Sequence, residues 1–104
     1  MKIWVDDIRP APEGYHWCKS VNEAKYYIKE AEWYDRYIVD SPIELIDLDY
    51  DSGDYEKDGG PYIKLMDWLV ERGTLYPLAF HSQNCVGMEY MKRMYRRYWL
   101  GESL

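Results

Sequence analysis

The sequence has one phenylalanine, two cysteines and no apolar run approaching the ~18 residues of a membrane span. Cys18 and Cys85 are too few for a disulfide scaffold and too far apart for a paired metal motif. Thiol usage this sparse fits a reducing compartment. The stretch Met1-Lys2-Ile3-Trp4-Val5-Asp6-Asp7 lacks the apolar core and small-residue cleavage site of a secretory leader, so a cytoplasmic protein with no membrane partner is expected. A basic surface is missing too. Thirteen Lys+Arg against 19 Asp+Glu give −6, which argues against a nonspecific nucleic-acid coat. Neither internal repeats nor low-complexity segments appear, and 104 residues make one domain, 1–104, with a modest core of its own.

The acidity that is present is local. Residues 40–58 hold eight acids (Asp40, Glu44, Asp47, Asp49, Asp51, Asp54, Glu56, Asp58) against Lys57, while the remainder carries 12 bases and 11 acids. That one segment needs an explanation of its own. Twelve Tyr and five Trp are the other excess, and aromatics with a polar edge suit a small domain whose core lies close to its surface.

Residues 2–6 read as a short strand ending in two carboxylates, followed by a loop marked by Pro10, Pro12 and Gly14. Residues 15–19 read as a second strand. Ser20-Val21-Asn22-Glu23 has the form of a capping box, and Val21, Ala24, Ile28 and Ala31 recur at helical spacing, predicting a helix over 21–34. Pro42 opens a third strand over 43–48, a helix is predicted over about 61–72 with Gly73 ending it, and 75–81 reads as a fourth strand. Asn84 is placed to cap a last helix, stopped by Gly101. Strands alternating with helices predict an open α/β sheet. One joint is short: residues 7–14 are fewer than a parallel crossover normally takes. Either the first two strands are antiparallel, or a Pro-rich bridge replaces a helix.

Three of the four strands end in polar groups: Asp6-Asp7, then Asp49 and Asp51, then His81-Ser82 with Asn84 beyond. Open α/β sheets bind ligands outside the carboxyl ends of their strands. Four carboxylates gathered there would repel one another without a cation between them, and hard oxygen ligands suit Mg²⁺ or Mn²⁺ bridging to phosphate. On this reading Asp6, Asp7, Asp49 and Asp51 are the candidate metal ligands. His81 is the candidate general acid or base, and Ser82 and Asn84 are placed to hold phosphate oxygens. Simpler roles exist for each: a turn for Asp6-Asp7, a solvated loop for Asp49 and Asp51, a helix cap for Asn84.

Asp47-x-Asp49-x-Asp51 with Asp58 twelfth has the outline of an EF-hand calcium loop. Its sixth position is Ser52, its twelfth is not Glu, and a strand precedes it, so that motif is set aside. A haloacid-dehalogenase phosphatase would carry its Asp-x-Asp after the first strand of a longer chain. Lys92, Arg93, Arg96 and Arg97 read first as a solvated helix face that complements the C-terminal dipole.

Taken in order, Lys2-Ile3-Trp4-Val5-Asp6-Asp7-Ile8-Arg9-Pro10, Pro12-Glu13-Gly14-Tyr15, Ile46-Asp47-Leu48-Asp49-Tyr50-Asp51-Ser52-Gly53 and His81-Ser82-Gln83-Asn84 with Gly87 resemble the cyclic-phosphate-processing receiver-like domains. The resemblance covers nearly the whole chain. It implies a reduced response-regulator receiver fold, a parallel sheet ordered 2-1-3-4, and a lost helix at the short first connection. It also implies that Asp6 and Asp7 match a metal-binding acidic pair, that Asp49 ends the third strand at the phosphoacceptor position, and that His81, Ser82 and Asn84 match a His-Ser-x-Asn signature. The chain departs from the family at Tyr50, where Asp-His-Asp is usual. No fifth strand with its lysine is read after the last helix, an expectation against phosphorelay signalling. The function expected is a metal-dependent phosphoesterase acting on a small cyclic phosphate, at a nucleotide or RNA end, with Asp49 and His81 as catalytic candidates and Arg9, Ser82 and Asn84 on the phosphate. The alternative is a noncatalytic receiver-like module that binds a protein partner or a phosphorylated ligand.

Overall fold

A computed structural model describes residues 1–34 and 43–102 of the chain. Asp40 and Pro42 lie outside the described residues. The elements run β1 (Lys2–Val5), β2 (Tyr15–Cys18), α1 (Val21–Tyr34), β3 (Leu45–Leu48), a 3₁₀ turn (Gly53–Lys57), α2 (Ile63–Arg72), β4 (Leu78–Phe80) and α3 (Cys85–Tyr98). The sheet is ordered β2-β1-β3-β4, and every pairing in it is parallel. The open choice at the first connection is thereby closed: β2 is parallel to β1, and the short bridge stands where a helix would.

Local chemistry explains most of the boundaries. Ser20 caps α1, with its Oγ accepting from the Glu23 amide at 3.0 Å while Glu23 accepts from the Lys19 amide at 3.2 Å. The helix over 61–72 begins in regular form only at Ile63, because Pro61 and Tyr62 make a tighter first turn whose carbonyls accept from Lys64 and Leu65. Gly73 ends it with a φ of 71°. The fourth strand is shorter than the 75–81 reading. Pro77 has no amide to give to a ladder, so pairing starts at Leu78. Asn84 caps α3, its side chain accepting from the Gly87 amide at 2.9 Å.

Topology decides which face of the sheet is covered. The connections β2–α1–β3 and β3–α2–β4 step across the sheet in the same direction. Right-handed crossovers therefore lay α1 and α2 on the same face. The step from β1 to β2 runs the other way, and a helix there would have covered the opposite face. Consistent with this, α1, α2 and α3 turn Val21, Ala24, Ile28, Leu65, Met66, Leu69 and Met91 into one cluster with Ile3, Val5, Ile46, Leu48 and Leu78. Full burial of each Leu or Ile there is worth about 1.5–3 kcal/mol.

The alternate strand residues Trp4, Trp17 and Asp47 point the other way. On that side, among the described residues, the covering is the 7–14 segment and its approach. The Trp4 indole donates to the Arg9 carbonyl at 2.9 Å, and the Trp17 indole donates to the Asp6 carbonyl at 2.6 Å. Two tryptophans thus hold a bridge in the place of a helix. No helix among the described residues is long and apolar enough to cross a membrane.

Candidate functional site

The carboxyl ends of β1, β3 and β4 meet at one edge of the sheet. An open cleft of ≈ 360 Å³ lies there, lined by Asp6, Asp7, Arg9, Asp49, Asp51, Ser82 and Asn84, with Ile8 and Gln83 at its margin. Parallel pairing in register is what brings distant residues together. The Asp49 amide donates to the Val5 carbonyl and the His81 amide to the Leu48 carbonyl, so each strand end is tied to its neighbour.

Asp6 is 1 % exposed, and its carboxylate is used on both oxygens. Oδ1 accepts from the amides of Ile8 and Arg9, each at 2.8 Å, which shapes the turn after β1. Oδ2 faces His81 Nε2 at 2.9 Å and Arg9 Nε at 3.5 Å. Asp49 is 7 % exposed, and its Oδ1 accepts from the Tyr50 amide at 2.7 Å. One oxygen each from Asp6, Asp7 and Asp49 lies within 4.8 Å of the others. Asp51 lines the cleft from its exposed rim, where it accepts from the Asn84 side-chain amide at 3.4 Å.

Crowding of like charge is visible at Asp7. Burial raises its pKa, and the carboxylates of Asp6, Asp49 and Asp51 push the same way against its own backbone amide. Gly53 lets this carboxylate in: φ there is +53°, and a Cβ would overlap Asp7 Oδ2. The donor set is all oxygen, closely spaced and electrostatically strained. Those properties fit a hard divalent cation such as Mg²⁺ or Mn²⁺.

His81 is in a different position from the other candidates. It is 13 % exposed and does not line the cleft; it stands behind Asp6. Its Nε2 meets Asp6, and its Nδ1 meets Asp47 Oδ1 at 2.6 Å. Burial works against its charged form, but hydrogen bonds and charges from Asp47 and Asp6 outweigh that, so its pKa is raised from 6.5. Trp4 stacks on the ring, with centroids 3.6 Å apart and planes 7° off parallel.

Tyr50 also turns from the cleft. Its ring packs toward the core and lies over Gly87, where a Cβ would overlap it. Ser82 Oγ accepts from the Asn84 amide at 3.1 Å, and Asn84 keeps its capping role while facing the cleft. Sequence reading missed Asp47 and Trp4 as members of this network. The available signal was a lone carboxylate between the apolar residues Ile46 and Leu48 of a strand. Cys18 is fully buried and does not line the cleft, and burial pushes its thiol up to about 12.

The sequence model of one family, described as the cyclic-phosphate processing receiver domain, matches residues 1–97. No curated protein and no solved structure matches the chain.

Proposed function

The chain belongs to the cyclic-phosphate processing receiver domains, and from that premise we propose that it is a metal-dependent phosphoesterase acting on a small cyclic phosphate of the nucleotide or RNA-end type. The observation that carries this reading is the carboxylate trio beside Arg9, Ser82 and Asn84 in one open cleft. Asp7 and Asp49 would hold Mg²⁺ or Mn²⁺, with Asp6 beside them and Asp51 at the rim. A divalent ion bound there would supply charge to a phosphoryl oxygen and acidity to a water.

The rest falls to side chains. Arg9 and the amide of Asn84 bring donors to phosphate oxygens, and Ser82 offers a hydroxyl. His81 Nε2 meets Asp6 Oδ2, so its influence on the cleft passes through Asp6. That same placement supports a second reading. A histidine with both ring nitrogens engaged by carboxylates, and no share of the cleft wall, suits a noncatalytic module that binds a phosphorylated ligand or a partner.

Turnover separates the two. The full chain is incubated with Mn²⁺ or Mg²⁺ and a panel of 2′,3′-cyclic and other cyclic phosphates, beside Asp7→Asn and Asp49→Asn variants. Hydrolysis by wild type that is lost in both variants is expected. Hydrolysis that persists in both sinks the assigned site, and metal binding without hydrolysis of any of the panel leaves the module. Divalent metal should also raise the melting temperature of wild type by mass action, but not that of the Asp7→Asn/Asp49→Asn double variant.

A further inference from the structure

Asp47 has no role in the reading above, yet its position carries a cost. It lies in β3 between the buried Ile46 and Leu48, and its side chain is 16 % exposed. A carboxylate in a short strand is poorly suited to it, and burying one requires a partner. Its partner is His81 Nδ1, and Asp47 is not among the residues lining the cleft.

We propose that Asp47 is a positioning residue for the acidic cleft: acting through His81, it fixes the Asp6 carboxylate and with it the turn that carries Asp7 and Arg9. The inference extends the metal-site reading above. The chain of contacts is short and continuous. Asp47 Oδ1 sets the rotation of the imidazole, whose other nitrogen meets Asp6 Oδ2. Asp6 Oδ1 then takes the amides of Ile8 and Arg9.

The two carboxylates engage both ring nitrogens, and a flipped ring would set carbon against each of them, so the pair selects the ring's orientation and leaves neither nitrogen free for a third partner. Trp4 closes the arrangement. Its ring lies flat on His81, and its indole N–H donates to the Arg9 carbonyl at the far end of the turn. Groups hydrogen-bonded to a ligating side chain orient it, and removing one typically costs 10–100-fold in metal affinity; His81 stands in that place toward Asp6, and Asp47 holds His81.

Two variants test this. Asp47→Asn keeps an oxygen that can accept from His81 Nδ1–H, whereas Asp47→Leu keeps the approximate volume and loses the acceptor. Calorimetric titration of the full chain with Mn²⁺ is expected to show binding weakened about tenfold or more in Asp47→Leu and largely restored in Asp47→Asn. Amide hydrogen exchange without metal gives a second readout. The Ile8 and Arg9 amides should exchange severalfold faster in Asp47→Leu, while those of Leu69 and Met91 in the packed helices keep wild-type rates.

Wild-type exchange at Ile8 and Arg9 in folded Asp47→Leu overturns the proposal, as does equal loss of Mn²⁺ affinity in both variants. If Asp47→Leu does not fold, Asp47→Ser takes its place under the same criteria. Absence of turnover with every cyclic phosphate, alongside the predicted exchange and affinity changes, rejects the phosphoesterase and retains Asp47 in this role. Absence of Mn²⁺ binding in wild type rejects the metal site, and exchange at Ile8 and Arg9 then decides for or against Asp47 alone.

Discussion

On one face of the sheet, Ile3, Val5, Ile46 and Leu48 have no exposed surface and share a cluster with three helices. On the other, Trp4, Asp47 and His81 are half-buried beside the segment that joins β1 to β2. Parallel sheets usually bury both faces under helices. Among the described residues no helix covers the second face, and the segment leaving β1 lies there instead, held at the Asp6 and Arg9 carbonyls by two indoles. The difference shows what each covering permits. A helix layer demands apolar side chains of fitted volume. A thin bridge leaves room for a carboxylate–histidine–carboxylate chain, because partial hydration and hydrogen bonds offset the burial of charge.

Ile46 and Leu45 are adjacent in β3 and face opposite sides, so truncating each in turn is the most direct way to break the comparison. Ile46→Ala should cost about 2–5 kcal/mol of unfolding free energy, since it opens a cavity in the packed cluster. Leu45→Ala should cost clearly less, by urea denaturation of both variants. Equal costs would mean that the two faces are packed alike.

Enlarging a side chain gives a smaller effect on the same side. Gly87→Ala places a methyl group into the Tyr50 ring and is expected to destabilise by about 1–3 kcal/mol. The added loss should shrink when Tyr50→Ser is combined with it. Ile8, 77 % exposed on the bridge, should by contrast accept Ile8→Ser within about 0.5 kcal/mol.

A third test lies at the start of α1. Ser20→Ala removes the hydroxyl that accepts from the Glu23 amide and should cost about 1 kcal/mol. The same hydroxyl donates to Asp58, whose carboxyl it holds below its ordinary value with help from Asn22. A carboxyl so depressed contributes stability above its unfolded pKa of 3.8 and loses it as pH falls through the lower folded value. Ser20→Ala should therefore flatten the acid limb of the stability curve.

The subtlest signal comes from the polar face. His81 has a raised folded pKa, so its contribution is complete below 6.5 and disappears as pH rises through the folded value. In metal-free protein, subtracting the His81→Gln stability curve from that of wild type should leave a difference that declines above pH 6.5. A difference that grows with pH would mean that Asp47 and Asp6 do not favour the imidazolium.

Much of the architecture could be read from short stretches of chain. The Ser20 capping box, the Asn84 cap and the helix stop at Gly73 each depend on residues within a few positions of one another. The errors are also local: Pro61 and Pro77 trimmed elements that apolar pattern alone would have extended. The polar strand ends were legible too, since alternation breaks off at Asp6, Asp49 and His81. What those groups do to one another was not. Asn84 looked like a cap or a phosphate ligand and in the structure both caps α3 and faces the cleft.

Hydrogen bonds between near neighbours and the periods of helix and strand are properties of sequence, and they settled the order of elements and the acidic edge. The direction of β2 could not come from that source, because a short bridge is compatible with either pairing until the sheet is assembled. Nor could the link from Asp47 through His81 to Asp6, which joins residues 34 and 75 positions apart. Only parallel strands in register bring such groups within hydrogen-bond reach. The same assembly left Trp4 and Trp17 to hold a bridge where a helix would otherwise lie.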